Sequence, residues 1–332
     1  MLPAIFSLSG TSLTDAERAL FRAASPAGFI LFARNCENRA QLRALTDSLR
    51  DLAGRDVPIL IDQEGGRVAR LKPSEWPPFP APSAFAKLYR VAPISAIEAA
   101  QVNAQALASV LTEVGINVNC LPLLDIPLAG ADPIIGDRAL GEEPMQVAAL
   151  GRAVLEGLAA GGVAGVVKHM PGHGRAQVDS HKALPVVTAT RDELETDFAP
   201  FRKLRTAAIG MTAHITYTAL DPDRCASLSP TVIADIIRGE IGFDGLLLSD
   251  DIGMEALTGT PAERAAGVVA AGCDLALHCS GDLAEMEAIA AALPPITAAA
   301  AERIARALPA VATSTTPYEQ LAAKRDALLA YA

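Results

Sequence analysis

Val163-Ala164-Gly165-Val166-Val167 is a continuous apolar run, and Lys168-His169-Met170-Pro171-Gly172-His173-Gly174 follows it directly. An apolar run of this length is typical of a parallel strand whose two faces are both buried. The loop of Lys, His, Gly and Pro is poor material for a hydrophobic core, but it suits a site that transfers protons or binds a polar ligand. Three of the five histidines, His169, His173 and His181, lie in this loop or shortly after it.

Similar apolar runs recur along the chain and alternate with helical segments. The pattern predicts strands at residues 4–8, 28–32, 57–61, 116–121, 165–168, 209–213, 246–249 and 275–278. It predicts helices at 93–113, 143–160, 191–207, 229–239 and 261–271, and another after the capping signal at 12–17. Eight strands in β/α alternation predict an α/β fold, a (β/α)8 barrel of the TIM type. A doubly wound sheet is the alternative architecture.

The 332 residues are expected to form a single domain over residues 1–332. An Ala-rich helix near 297–308 and a last helix at 318–331 are predicted beyond the final strand. The segment 309–317 is expected to join them. We expect these extra C-terminal helices, about residues 297–332, to pack on the barrel.

The composition excludes several classes of function. A formal net charge of −10 argues against a nucleic-acid partner, because phosphate binding normally requires a basic surface. No apolar stretch approaches the roughly 20 residues needed to cross a bilayer, and residues 1–10 lack the basic start of a signal peptide.

The five cysteines form no CxxC pair, which favours reduced thiols and a cytoplasmic location. Because no assembly segment is evident, we expect a monomer.

Polar residues gather where the predicted strands end, and in a (β/α)8 barrel the active site is built at those C-terminal ends. We therefore expect one polar pocket there. His278, after the last strand, is interpreted instead as a core histidine. The other groups are Asp62, Glu64, Arg67 and Arg70 after the third strand, Asp125 and Arg138 after the fourth, Lys168, His169, His173, Asp179 and His181 after the fifth, His214 after the sixth, and Asp250 and Asp251 after the seventh.

Two chemistries fit these groups. Cleavage of a glycosidic bond needs a carboxylate and a second group that acts as an acid. Asp250 can be the carboxylate, and His181, oriented by Asp179, can transfer the proton, since histidine titrates near neutrality. Metal-assisted hydrolysis is the alternative, with His169, His173, His181 and Asp250 as ligands.

The metal alternative ranks second. The sequence has no HxH or HExxH pair, and Lys168 adds a positive charge beside His169. We therefore expect no metal and no cofactor. A barrel that binds sugar without turning it over is the non-enzymatic alternative, and the presence of candidates for nucleophile, acid/base and orienting acid argues against it.

Six segments carry a resemblance to a known family, and they occur in the family's order. They are residues 28–35 (GFILFARN), 61–71 (IDQEGGRVARL), 168–174 (KHMPGHG), 179–185 (DSHKALP), 211–214 (MTAH) and 248–251 (LSDD). Together they resemble glycoside hydrolase family 3, specifically its single-domain bacterial β-N-acetylglucosaminidases of peptidoglycan recycling. The similarity covers about residues 5–310.

The resemblance implies a retaining β-N-acetylglucosaminidase. Asp250 matches the family nucleophile that forms a glycosyl-enzyme, His181 matches the acid/base, and Asp179 matches its partner. The implied substrate is a muropeptide with N-acetylglucosamine on 1,6-anhydro-N-acetylmuramic acid, and chitooligosaccharides are the alternative. Asp62, Arg70, Arg138, Lys168 and His169 match residues that bind the N-acetylglucosamine, and we add His173 and His214 as candidate substrate-binding residues.

The chain departs from the family pattern at two positions. Met170 replaces a common Phe, and Arg175 stands where Asp is frequent. Neither change removes a catalytic group, but both can alter how the loop closes. Many family members carry a second α/β domain that supplies a carboxylate acid/base. None is expected here, which agrees with an acid/base on the loop after the fifth strand.

Overall fold

The computed structural model describes residues 1–308, 312 and 315–331. Eight parallel strands close into a barrel, which confirms the predicted (β/α)8 architecture. Two further short strands, Val186–Val187 and Thr216–Tyr217, pair with each other outside it. The strands are β1 (Leu2–Phe6), β2 (Pro26–Leu31), β3 (Ile59–Ile61), β4 (Val118–Asn119), β5 (Ala164–Met170), β6 (Val186–Val187), β7 (Ile209–Thr212), β8 (Thr216–Tyr217), β9 (Leu246–Asp251) and β10 (Leu275–His278).

Helices surround the barrel, and the predicted helix at 93–113 has the bounds that the sequence predicts. The predicted helix at 229–239 is a π-helix over Val232–Glu240. None of the described helices is long and apolar enough to cross a membrane. The α-helices are α1 (Asp15–Ala24), α2 (Arg39–Ala53), α3 (Pro82–Val91), α4 (Pro93–Glu113), α5 (Pro144–Ala160), α6 (Arg191–Lys203), α7 (Pro261–Ala271), α8 (Leu283–Ala292), α9 (Ala298–Ala307) and α10 (Tyr318–Leu329).

The barrel strands alternate between two buried apolar clusters, because successive side chains of a strand point to opposite faces. Leu60 and Leu246 belong to a cluster built mainly from strand residues, inside the barrel. Their neighbours Ile61 and Leu247 belong to the cluster that includes the helices. This explains why the strands are apolar throughout rather than alternating.

The capping signal near residue 14 starts α1 as predicted. The Thr14 hydroxyl accepts from the Glu17 N–H, and the Glu17 carboxylate accepts from the Thr14 N–H, so the pair forms a capping box. At the other end of the chain, α10 packs against α4, and Arg325 donates to Asn103 at 3.2 Å. Most of the predicted connection at 309–317 lies outside the described residues.

The short strands β6 and β8 are the main addition to the predicted topology. They run parallel, with Val186 opposite Thr216 and Val187 opposite Tyr217. β6 directly follows the loop after β5, and β8 follows β7. This pairing therefore returns the His-rich loop to the barrel.

Candidate active site

A cavity of about 270 Å³ lies at the C-terminal ends of the barrel strands. Polar residues from several strand ends line it, as predicted. Its floor is apolar and includes Ile30, Met211 and Leu277, the upper members of the cluster inside the barrel. The predicted site residues on its wall are Asp62, Arg70, Arg138, Lys168, His169, His173, His181 and Asp250.

Lys168 lies at the end of β5 and is buried between two carboxylates. Its Nζ is 3.1 Å from Oδ1 of Asp62 and 2.9 Å from Oε1 of Glu64. Burial alone lowers the pKa of Lys168, but the Glu64 and Asp62 charges outweigh it and raise the pKa above its ordinary value. Lys168 is therefore cationic throughout the physiological range.

Asp62 and Glu64, which flank Gln63 after β3, each bind an arginine as well. Asp62 Oδ2 accepts from Nη2 of Arg70 at 3.1 Å. Arg138 forms a two-point ion pair with Glu64, with both N–O distances 2.8 Å. Burial raises the pKa of both acids, yet Lys168 and the arginines lower each pKa below its usual value. With Lys168, these side chains form one network of five charges that fixes the geometry of this wall.

Asp125 fixes the two histidines of the KHMPGHG loop. Its Oδ2 is 2.8 Å from Nδ1 of His169, and its Oδ1 accepts the backbone N–H of His173 at 2.6 Å. Burial raises the pKa of Asp125, but the contacts with His169 and His173 outweigh this and lower it to about 2. The carboxylate holds the His169 proton on Nδ1, so Nε2 is the nitrogen available to a ligand.

The two acids at the end of β9 have different surroundings. Burial raises the pKa of the Asp250 carboxyl, but the nearby His169 ring, the Asp251 N–H and Lys168 lower it below its usual value. Asp250 is therefore ionised at neutral pH and lies on the cavity wall. By contrast, Oδ1 of Asp251 accepts the N–H groups of Gly253 at 2.9 Å and Cys279 at 3.2 Å, and burial raises its pKa.

His214 lies behind the cavity wall rather than on it, which differs from its predicted place among the substrate-binding residues. It is fully buried, and its Nε2 donates to the carbonyl oxygen of Asp251 at 3.0 Å. Its Nδ1 is 2.6 Å from the Ser227 hydroxyl. Burial lowers the pKa of His214, so the ring is neutral and both nitrogens are used within the protein. His214 supports the backbone next to Asp250.

Asp179 and His181 form a hydrogen-bonded pair on the loop after β5. Nδ1 of His181 is 2.8 Å from Oδ1 of Asp179, which also accepts the His181 backbone N–H at 2.9 Å. Burial raises the pKa of Asp179, but these two hydrogen bonds outweigh it and lower the pKa. The His181 side chain is 64% exposed and lines the outer cavity. Because Asp179 holds Nδ1, Nε2 is the atom that can exchange a proton.

The base of this loop is fixed by Arg175, one of the two departures from the family pattern. Its Nε donates to Oδ2 of Asp197 on α6 at 2.6 Å. Burial outweighs the guanidinium charge and raises the pKa of Asp197 to about 6. Tyr217 on β8 adds a hydrogen bond from its hydroxyl to the Gly172 carbonyl at 2.8 Å.

Sequence reasoning did not assign roles to several residues that hold this site. For Glu64 and Asp125, the one indication in the sequence was their position among the polar residues at the strand ends. Ser180 lies between the two members of the Asp179–His181 pair, and its hydroxyl is 3.2 Å from Nε2 of His173. No pattern in the sequence indicates that contact.

A metal site needs several ligand side chains that converge on one ion. Among the described residues, no three His, Cys, Asp or Glu side chains converge as ligands of one ion. The rings of His169 and His173 meet edge to face at 5.6 Å, and each has a nitrogen engaged by a neighbouring side chain.

Comparison with known proteins places the chain among sugar-cleaving enzymes. The family model described as the glycosyl hydrolase family 3 N terminal domain matches residues 7–313. A beta-hexosaminidase of Bordetella avium is 37% identical over 318 residues, which cover 93% of this chain and 89% of that protein. A beta-hexosaminidase of Chromobacterium violaceum is 35% identical over 345 residues, which cover 98% of this chain and 96% of that protein.

A solved structure is similar over nearly the whole chain. The crystal structure of NagZ from Neisseria gonorrhoeae in complex with N-trifluoroacetyl-D-glucosamine superposes with a TM-score of 0.89 at 31% identity. The match covers 99% of this chain and 97% of that one. With a family model that spans most of its length, this chain is a member of glycosyl hydrolase family 3.

Proposed function

We propose that the enzyme is a retaining β-N-acetylglucosaminidase that releases terminal β-linked N-acetylglucosamine. The observation that carries the proposal is the placement of an ionised carboxylate, Asp250, and a histidine–aspartate pair, His181 and Asp179, at one polar cavity. The β-hexosaminidase names of the relatives support this activity. So does the glucosamine derivative bound by the gonococcal NagZ.

In the first half of the reaction, Asp250 attacks the anomeric carbon and forms a glycosyl-enzyme. His181, protonated on Nε2, gives that proton to the leaving oxygen. Asp179 accepts the Nδ1 hydrogen bond and stabilises the imidazolium before transfer. A positioned general acid of this kind contributes roughly 10²- to 10⁴-fold to the rate.

In the second half, neutral His181 removes a proton from water, and the water attacks the anomeric carbon from the face that the leaving group vacated. The bond to Asp250 breaks and its carboxylate is regenerated. Two displacements at one carbon retain the configuration.

The charged wall of the cavity, above its apolar floor, binds the sugar. Asp62 accepts hydrogen bonds, while Arg70, Arg138, Lys168 and His169 donate them, so the wall offers both kinds of partner to the hydroxyl groups of a pyranose. Because contacts among these groups and with Glu64 and Asp125 already hold their side chains in place, little ordering is needed when sugar binds. His173, itself on the wall, packs against His169, and His214 supports the β9 backbone from behind.

We further propose that the natural substrates are muropeptide fragments of cell-wall recycling and that the enzyme acts as a single-domain monomer in the cytoplasm. The family resemblance supports the substrate. All five cysteines are unpaired, which suits a reducing compartment. Comparing kcat/KM for an anhydro-muropeptide with that for chitobiose tests the substrate. A clear preference for chitobiose would contradict the proposal.

The first experiment measures release of p-nitrophenol from p-nitrophenyl N-acetyl-β-D-glucosaminide, with and without EDTA, by the wild type and Asp250→Asn. We expect hydrolysis that EDTA does not affect and that the substitution abolishes. Hydrolysis that EDTA stops and zinc restores would favour the metal-dependent mechanism. Binding of the sugar without turnover would favour a non-catalytic barrel.

A further inference from the structure

The segment 177–184, which we name the dyad turn, carries Asp179 and His181 between two anchored ends. Before it, the Ala176 carbonyl accepts the Asp132 N–H at 2.9 Å, and the Gly174 carbonyl accepts the Leu128 N–H at 3.0 Å. After it, the Pro185 carbonyl accepts the Thr216 N–H at 3.0 Å, where β6 begins to pair with β8. The path of the turn between these ends must be set by its own contacts.

Most hydrogen bonds of the dyad turn are internal. The backbone N–H groups of Lys182 and Ala183 both donate to the Asp179 carbonyl, at 2.9 and 3.2 Å. His181 binds the Asp179 side chain. These contacts hold the shape of the turn, but they do not fix its position over the cavity.

Ser180 makes the contact that fixes the position of the dyad turn over the cavity. Within the part of the chain that the structure describes, its hydroxyl forms the one hydrogen bond from the dyad turn to the rest of the protein, 3.2 Å from Nε2 of His173. Ser180 is 2% exposed, whereas Gln177, Val178 and the four residues after Ser180 are exposed. Asp179 is half-buried, so Ser180 is the fully buried residue of this turn and acts as an inward anchor.

His173 is a rigid partner for this hydroxyl. Its backbone N–H is held by Asp125 at 2.6 Å, and its ring packs edge to face on His169. Burial lowers the pKa of His173, which favours the neutral ring at neutral pH. A neutral imidazole offers one acceptor and one donor, and a hydroxyl can pair with either.

We propose that Ser180 is a positioning residue that docks the Asp179–His181 pair over the cavity through its hydrogen bond to His173. The proposal rests on the acid/base role given to His181 above. Ser180 touches neither the sugar nor the reacting atoms. Its loss lowers the fraction of molecules whose His181 is in place, and a neutral hydrogen bond of ordinary strength corresponds to about a three- to tenfold change in that fraction.

The kinetic test compares Ser180→Ala with the wild type on two substrates. Chitobiose has a poor leaving group and needs the proton from His181, whereas p-nitrophenyl N-acetyl-β-D-glucosaminide needs it far less. We expect kcat/KM to fall about three- to tenfold on chitobiose and less than about twofold on the aryl glycoside. The matched control is Gln177→Ala, an exposed position of the same turn, which should change neither value. Equal losses on both substrates would overturn the proposal.

A double substitution separates docking of His181 from a general structural effect. In a His181→Ala background, Ser180→Ala should cause no further loss on chitobiose, because there is no acid left to position. A further loss of the original size would overturn the proposal. If His181→Ala itself lowered kcat/KM equally on both substrates, the acid role of His181 in the proposed function would be wrong. That result would be distinct from any effect of Ser180.

Trypsin gives a readout that does not depend on activity. Lys182 lies in the dyad turn with its side chain 78% exposed, and cleavage after it yields a fragment of residues 1–182 that mass spectrometry identifies. Releasing the turn should speed this cleavage about three- to tenfold in Ser180→Ala and leave it unchanged in Gln177→Ala. Unchanged cleavage in Ser180→Ala would show that the contact with His173 does not hold the turn.

Discussion

The backbone N–H of Asp251 donates to Oδ1 of Asp250 at 2.9 Å, so the second acid of the Ser-Asp-Asp sequence orients the first. The Asp251 carboxylate is engaged elsewhere, by the N–H groups of Gly253 and Cys279. The His214 ring holds the Asp251 carbonyl from below. The two adjacent aspartates thus have different surroundings: the Asp250 carboxylate lies on the cavity wall, whereas the Asp251 carboxylate is held by backbone N–H groups.

This difference predicts opposite results for two conservative substitutions. Asp250→Asn should lower kcat on the aryl glycoside by more than about a thousandfold, the scale of loss expected when a nucleophile is removed. Asp251→Asn keeps the oxygen that accepts both backbone N–H groups, so kcat should fall far less. Both are measured by p-nitrophenol release, with circular dichroism as the control for folding. A larger loss in Asp251→Asn would reverse the assignment.

His181→Ala should be selective for the leaving group. On chitobiose the loss of a general acid should lower kcat/KM by about 10²- to 10⁴-fold. The aryl glycoside should lose much less, because nitrophenolate leaves without a proton. Asp179→Asn keeps the geometry of the pair and removes its charge, so we expect the same pattern with a smaller loss. Equal losses on the two substrates would argue that the pair is structural.

Glu64→Gln should be costly for stability although the change is small. It removes the carboxylate charge that pairs with Arg138 and Lys168. Of the acidic partners in these ion pairs, Asp62 then remains for the two buried cations. Loss of one member of a buried ion pair typically costs about 3–5 kcal/mol. We expect a decrease of this size in the free energy of unfolding, measured with urea. Arg43→Ala, which breaks an exposed pair with Asp47, should cost under about 1 kcal/mol.

The raised pKa of Asp197 predicts a pH dependence of stability. Its pKa is about 6 in the folded protein and about 3.9 in an unfolded chain. The folded state therefore binds the proton more tightly, so the contribution to stability is complete below about pH 4 and is lost as the pH rises through 6. The total change is about 3 kcal/mol.

The variant Asp197→Asn isolates this effect from the other titrating groups. The difference in unfolding free energy between wild type and variant, measured with urea at several pH values, should shift against the wild type between about pH 4 and pH 6. A difference that stays constant over this range would mean that Asp197 is not buried as the structure places it.

Much of the barrel was predictable because its strands are apolar on both faces. The last barrel strand and the helix Pro93–Glu113 have the predicted bounds. The helix Arg39–Ala53 was missed, although Leu42, Leu45 and Leu49 recur at helical spacing and are buried. The strands β6 and β8 are two residues each, too short to show any period.

The site was predictable as a set of residues but not as a set of contacts. The positions of strand ends indicated Asp62, Lys168 and Asp250 because parallel strands deliver their ends to one edge. The partners of those groups are distant in sequence, as Glu64 is from Lys168, and no local pattern encodes such a pair. His214 shows the same limit, since sequence position does not tell whether a side chain at a strand end faces the cavity or the layer behind it.

The short sheet formed by β6 and β8 has a consequence for how such an enzyme can change. Asp250, the proposed nucleophile, belongs to a barrel strand and shares its rigidity, whereas His181, the proposed proton donor, lies on a surface loop whose two ends are held by separate hydrogen bonds. The length and sequence of this loop around Asp179, Ser180 and His181 can therefore vary while the barrel wall stays unchanged. The preference of the enzyme for a leaving group can therefore change, by selection or by engineering, without a change in the barrel.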